Sequence, residues 1–125
     1  MSEAKNILIV DSDLRFVFWL CHLLDAAGYE TVPATGIPEA VVALAELDLS
    51  VDLLMVRPGL PGARAFAGEL RASQRGRLKT IALIDQNESQ WETIAPWDGW
   101  QVKRNTSEAV SREVFLSLVQ SILAN

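Results

Sequence analysis

Four charged residues each stand directly behind an apolar run. Asp11 follows NILIV (Asn6 to Val10), Arg57 follows LLMV (Leu53 to Val56), Asp85 follows TIALI (Thr80 to Ile84) and Lys103 follows GWQV (Gly99 to Val102). Asp11 opens the triplet Asp11-Ser12-Asp13, and Arg57 opens a turn with two prolines and two glycines, RPGLPG. Brought to one place, the two carboxylates and two cations sum to zero formal charge. A hard cation wants several oxygen ligands and finds little in such a set. Arginine only donates hydrogen bonds and stays protonated. No nucleophile–base pair, metal-ligand cluster or Gly-rich phosphate loop is visible elsewhere, so an enzyme is not expected. No catalytic residue, metal or cofactor is assigned.

The runs themselves read as strands. NILIV is a short apolar, β-branched stretch, YETVP a second, and VDLLMV is closed by the Pro/Gly turn, as a buried strand should be. TIALI and GWQVK supply a fourth and a fifth. Between them lie segments of helical spacing. Leu14 to Ala27 carries Val17, Leu20, Cys21 and Leu24 on one face and stops at Gly28. Pro38 opens a helix to about Leu47 from the first-turn position that suits proline. Further helices are expected over 63–73 and, less regularly, 88–95. The last is expected to start with Asn105 capped against Glu108 and to line up Val110, Val114, Leu118 and Ile122, with Leu123 and Phe115 beside them. Strands alternating with helices imply an α/β domain with a parallel sheet covered on both faces. In such sheets ligands sit beyond the carboxyl ends of the strands, where the four charged residues fall.

At these strand ends the sequence resembles the receiver domain of two-component response regulators, over essentially its whole length. The likeness rests on ILIVDSD, VDLLMVRPGLPG, TIALID and GWQVKRN, in the right order and at nearly the right spacing, with Gly28 before the second strand. It implies a flavodoxin-like, CheY-like (βα)5 three-layer sandwich. The expected sheet is parallel and five-stranded, of order 2-1-3-4-5, in a single domain over 1–125. It also implies a site. Receivers accept a phosphoryl group from a histidine kinase onto an aspartate ending the third strand. Two acidic residues after the first strand help hold Mg²⁺, a Thr or Ser follows the fourth strand, and a lysine follows the fifth. An aromatic residue on the fifth strand turns in response.

Carried over residue by residue, the match is partial. Asp11 fits the first acidic position, but Ser12 stands at the second. Arg57 holds the phosphoacceptor position, so no phosphoacceptor is assigned. Asp85 stands at the Thr/Ser position with Gln86 behind it. Lys103 fits the lysine, with Arg104 where a proline is usual, and Trp100 fits the switch aromatic. The resemblance therefore implies a pseudo-receiver in bacterial signal transduction, independent of phosphorylation, that works through protein–protein contacts. For Arg57 three readings stay open: an internal pair with Asp85 or Asp11, a solvated loop arginine, or an anion site. The last would make the domain a small-ligand or anion sensor using Arg57 and Lys103. No effector domain is visible, so the chain is expected to act alone or as part of a longer protein.

Other residues divide between structure and surface. Asp13 reads as a helix N-cap rather than a metal ligand. Asp52 opens the third strand, at the far end from the site. Phe16, Trp19 and Leu23 form a second apolar stripe, for packing on the last helix or for a partner. Trp91, Trp97 and Trp100 suit either partial burial or an interface, where tryptophan is enriched. Arg71, Arg75, Arg77 and Lys79 read as a solvated basic patch, Cys21 as core, and His22, the only histidine, as a surface residue. With 125 residues, half of them hydrophobic, one core is expected. A net charge of -5 argues against nucleic acid as partner. The single cysteine, the absence of an apolar run long enough for a membrane span and the start MSEAKN fit a cytoplasmic domain with protein partners. A homodimer is compatible with all of this.

Overall fold

The computed structural model of the chain describes residues 4–47, 50–74, 77–84, 97–102 and 108–124, with only the backbone described at 100–102 and 108–111. In chain order the elements are β1 (Asn6–Val10), α1 (Leu14–Ala26), β2 (Glu30–Ala34), α2 (Ile37–Leu47), β3 (Leu53–Val56), α3 (Ala63–Ser73), β4 (Lys79–Ile84), β5 (Gly99–Val102) and α4 (Glu108–Ala124). All strand pairings are parallel, and the strands lie in the order β2-β1-β3-β4-β5. The helix expected over 88–95 lies outside the described residues. No described helix is long and apolar enough to cross a membrane.

Central parallel strands are buried on both faces, which is why their sequences are continuous apolar runs. Side-chain alternation sorts them into two clusters. Leu8, Val10, Leu54, Val56, Ala82 and Ile84 face Ala40 of α2 and Phe66, Ala67 and Leu70 of α3. Ile7, Ile9, Leu53, Met55, Ile81 and Leu83 face Val17, Leu20 and Leu24 of α1 and Phe115 and Val119 of α4. The sheet is thus a middle layer between two helical ones.

The chain closes α1 with a C-terminal motif that the glycine makes possible. Gly28, at φ 98°, donates its N–H to Asp25 O, and Tyr29 donates to Leu24 O. This pair of bonds satisfies carbonyls the helix leaves open, and the left-handed residue between them suits glycine.

In α4 full burial falls beside the expected line, at Phe115 as read and at Val119 in addition. Phe115 and Val119 have no exposed surface, whereas Val114, Leu118 and Ile122 are half-buried. The side chain of Val110 lies outside the described residues. The reason is the neighbour. Phe16 and Trp19 of α1 reach across to the Phe115 ring, with centroids 5.8 and 5.7 Å away, the second edge-on. Edge-to-face aromatic packing at this range is favourable, and Phe115 turns inward to meet it. Phe16, Trp19 and the buried Leu23 are therefore packing residues between α1 and α4.

Candidate functional site

The carboxyl edge of the sheet is assembled by β1 and β3. Val10 and Val56 are the last residues these strands pair, so Asp11 and Arg57 leave the sheet side by side. Backbone bonds pin both. Arg57 donates its N–H to Val10 O at 3.0 Å, and Asp11 donates to Ala34 O, at the end of β2, at 3.1 Å. Asp11 is fully buried and Arg57 half-buried.

The loops behind these residues are set by local sequence. Asp11 Oδ1 accepts the N–H of Asp13 at 2.9 Å, which folds the triplet back on itself. Asp13 Oδ1 in turn accepts the N–H of Phe16 at 3.2 Å. Asp13 is thus the N-cap of α1, satisfying a donor the first helical turn leaves open. Ser12, between them, is exposed. After Arg57 the turn bends twice, with Leu60 N–H on Arg57 O and Ala63 N–H on Leu60 O. Gly62, at φ 80°, takes the left-handed conformation that starts α3.

On the other half of the edge, Ile84 of β4 pairs with Val102 of β5 as the last registered residues. Asp85 and Lys103 follow them in the chain and lie outside the described residues, as does Trp91. The backbone of Trp100 pairs with Ala82. Trp97 is buried in the core cluster on the face that α2 and α3 cover, which settles it as a core residue. Its Nε1 has no hydrogen-bond partner among the described residues. Cys21 is buried in the opposite cluster, and burial pushes its thiol above the usual value, with Thr31 opposing and Asp25 adding to the effect. His22 is exposed.

The opposite edge of the sheet holds a polar cluster that sequence reasoning missed. Asp98 Oδ2 accepts the N–H of Thr80 at 2.8 Å and the Arg71 guanidinium at 2.9 Å. Arg71 also donates to Thr80 Oγ1 at 3.1 Å, and Asp98 N–H donates to Thr80 O at 3.0 Å. Arg71 is therefore no member of a solvated patch; it ties the last turn of α3 to the entries of β4 and β5. Arg77 is exposed as expected, and Arg75 lies outside the described residues. Asp52 also belongs to this edge, where its Oδ2 accepts the N–H of Asn6 at 2.8 Å. Its distance from the carboxyl edge rules it out of the site.

A parallel sheet in this order, with α1 and α4 on one face and α2 and α3 on the other, has close counterparts among solved structures. The chemotaxis response regulator CheY4 of Vibrio cholerae superimposes with a TM-score of 0.76 at 23% identity, over 95% of this chain and 98% of that one. The fold is that of response regulator receiver domains. A CheY-like receiver domain protein of Methanospirillum hungatei gives a TM-score of 0.77 at 21% identity, over 98% and 95% of the two chains. CheY6 of R. sphaeroides, in complex with the P1 domain of CheA3, gives 0.72 at 16% identity, over 99% and 100%. No protein-family model and no curated protein sequence matches the chain.

Proposed function

We propose that this domain is a phosphorylation-independent pseudo-receiver, a protein–protein interaction or regulatory module in signal transduction. The observation that carries it is Arg57: half-buried, directly behind β3, and held against the end of β1 next to buried Asp11. In the receiver resemblance that position belongs to the aspartate that takes the phosphoryl group. A guanidinium has neither the carboxylate oxygen that attacks phosphorus nor a lone pair for a metal. Mg²⁺ requires near-octahedral oxygen ligation. Asp11 offers one carboxylate, already engaged by the Asp13 N–H, Ser12 offers a neutral hydroxyl, and Arg57 adds a fixed positive charge. The donor set does not fit the ion.

In this reading Arg57 pairs with Asp85 or Asp11, Lys103 completes a charge-neutral cluster and Trp100 stands at the switch position. Residues 1–125 form one domain, the full (βα)5 sandwich of order 2-1-3-4-5, working in the cytoplasm. That the domain acts by contact with proteins is consistent with the CheY6 structure, which holds a protein partner.

Restoring the missing ligands tests the charge argument. Arg57→Asp alone should leave Mg²⁺ binding unrepaired, because it gathers carboxylates without a second ligand at position 12, and like charges disfavour one another's ionisation. The triple variant Arg57→Asp, Ser12→Asp, Asp85→Thr should bind Mg²⁺, read by tryptophan fluorescence. A single variant that binds as tightly as the triple one contradicts the argument.

A further inference from the structure

Helix α2 is more apolar than its burial explains. Its sequence, IPEAVVALAEL, buries only Ala40 fully, while Val41 and Val42 are 52% and 53% exposed. On α1, which packs on the other face of the sheet, Phe18 is 59% exposed, the most exposed large apolar side chain among the described residues. Scattered apolar residues on a surface need no explanation, but adjoining ones do. These adjoin. Leu14, Phe18 and Pro33 line an open cleft of ≈ 270 Å³, and Val42 lines another of ≈ 370 Å³. Glu39 belongs to both clefts, and Glu46 stands at the far side of the second. No lysine or arginine lines either cleft, and among the described residues neither carboxylate is ion-paired.

We infer that the surface running from the start of α1 over the end of β2 and along α2 binds a basic amphipathic helix of a partner protein, two apolar side chains filling the clefts and a cationic one between them meeting Glu39. Charge selects the occupant. A second copy of this chain carries the same acidic groove and a net charge of -5, so self-association sets like charges together, whereas a cationic segment is steered in. An added β-strand fits poorly on the adjacent edge. Glu30 N–H bonds inward to Lys5 O, so alternation turns the nitrogens of Thr31 and Pro33 outward. Proline there has no hydrogen to donate, which blunts the edge against strand addition. A helix laid into a groove, anchored at helical spacing, needs no such donors.

The inference rests on the interaction-module reading, but phosphoryl uptake would overturn that reading without touching this surface. The probe is a short helical peptide of leucine and lysine, with a leucine–glutamate peptide of the same pattern beside it. Both are titrated into the full chain and followed by amide chemical shifts. The lysine peptide should shift resonances around Leu14, Phe18 and Val42, and the glutamate peptide should not. Phe18→Ser and Glu39→Lys should each weaken binding about tenfold. Glu69→Lys, the same charge change at an exposed site on α3, should not. Equal weakening by Glu69→Lys would reduce the effect to net charge and overturn the inference. So would shifts clustered elsewhere, or concentration-dependent self-association that Phe18→Ser abolishes.

Discussion

Arg57 makes most sense through what it does to its neighbours. In the proposed reading, the guanidinium beside the buried carboxylate of Asp11 supplies, without a ligand, the positive charge that a metal would otherwise bring. If Arg57 is paired with Asp85, removing one partner leaves the other charge uncompensated, at about 3–5 kcal/mol for a pair shielded from water. A pair open to solvent contributes about 0–1 kcal/mol. Half-burial of Arg57 places it between these limits. A double-mutant cycle of Arg57→Met and Asp85→Asn, read by denaturant unfolding, should give a coupling above about 1 kcal/mol. A value below about 0.5 kcal/mol would make Arg57 an ordinary loop residue. Cys21 gives a second test at this scale. Its thiol is raised above the ordinary 9.0, chiefly by burial. The folded state then keeps the proton longer than the unfolded chain, so this contribution is intact below about pH 9 and is lost as pH rises through the folded value. Stability between pH 8 and 10 should fall more steeply in the parent than in Cys21→Ala, and parallel curves would contradict the assignment.

Elements are held in place by contacts that span long stretches of sequence. The Arg71–Thr80–Asp98 cluster joins the end of α3 to the start of β5 across 27 residues. Its parts are unequal. Asp98→Ala strands the N–H of Thr80, a residue 1% exposed, and should cost about 2–3 kcal/mol. Arg71→Ala removes a pair about one-third exposed and should cost less, about 1 kcal/mol. Thermal or urea unfolding checks the order, and a reversed order would mean the carboxylate serves the arginine rather than the backbone. This cluster was illegible in the sequence because no local pattern announces a pair so far apart. The strands and their charged ends were legible, since apolar runs, Pro/Gly turns and the Asp13 cap are local signals. On α4 the line through Val114, Leu118 and Ile122 with Phe115 beside it was legible from helical spacing; that Phe115 and Val119 are the ones fully buried was not, because the helix is apolar on several sides and the ring contacts from Phe16 and Trp19 decide it. Trp97 shows the same limit, being core only once the helices on its face of the sheet are packed.

As a whole, the molecule pairs a receiver fold with a carboxyl edge where Arg57 stands beside buried Asp11, and with exposed apolar side chains on α1 and α2. The fold comparisons speak for the scaffold, and the residues at the carboxyl edge speak against phosphoryl transfer on it. Of that edge, Asp11 and Arg57 were legible as neighbours once the receiver resemblance supplied the strand order, because parallel strands in register deliver their next residues side by side. The burial of one and half-burial of the other were not, since both depend on how the loops pack. Whether the site has lost its chemistry is decided most directly by mass. The chain is incubated with Mg²⁺ and a small-molecule phosphodonor and weighed intact. An unchanged mass is expected. A stoichiometric gain of one phosphoryl group, abolished by substituting a single aspartate, would contradict it.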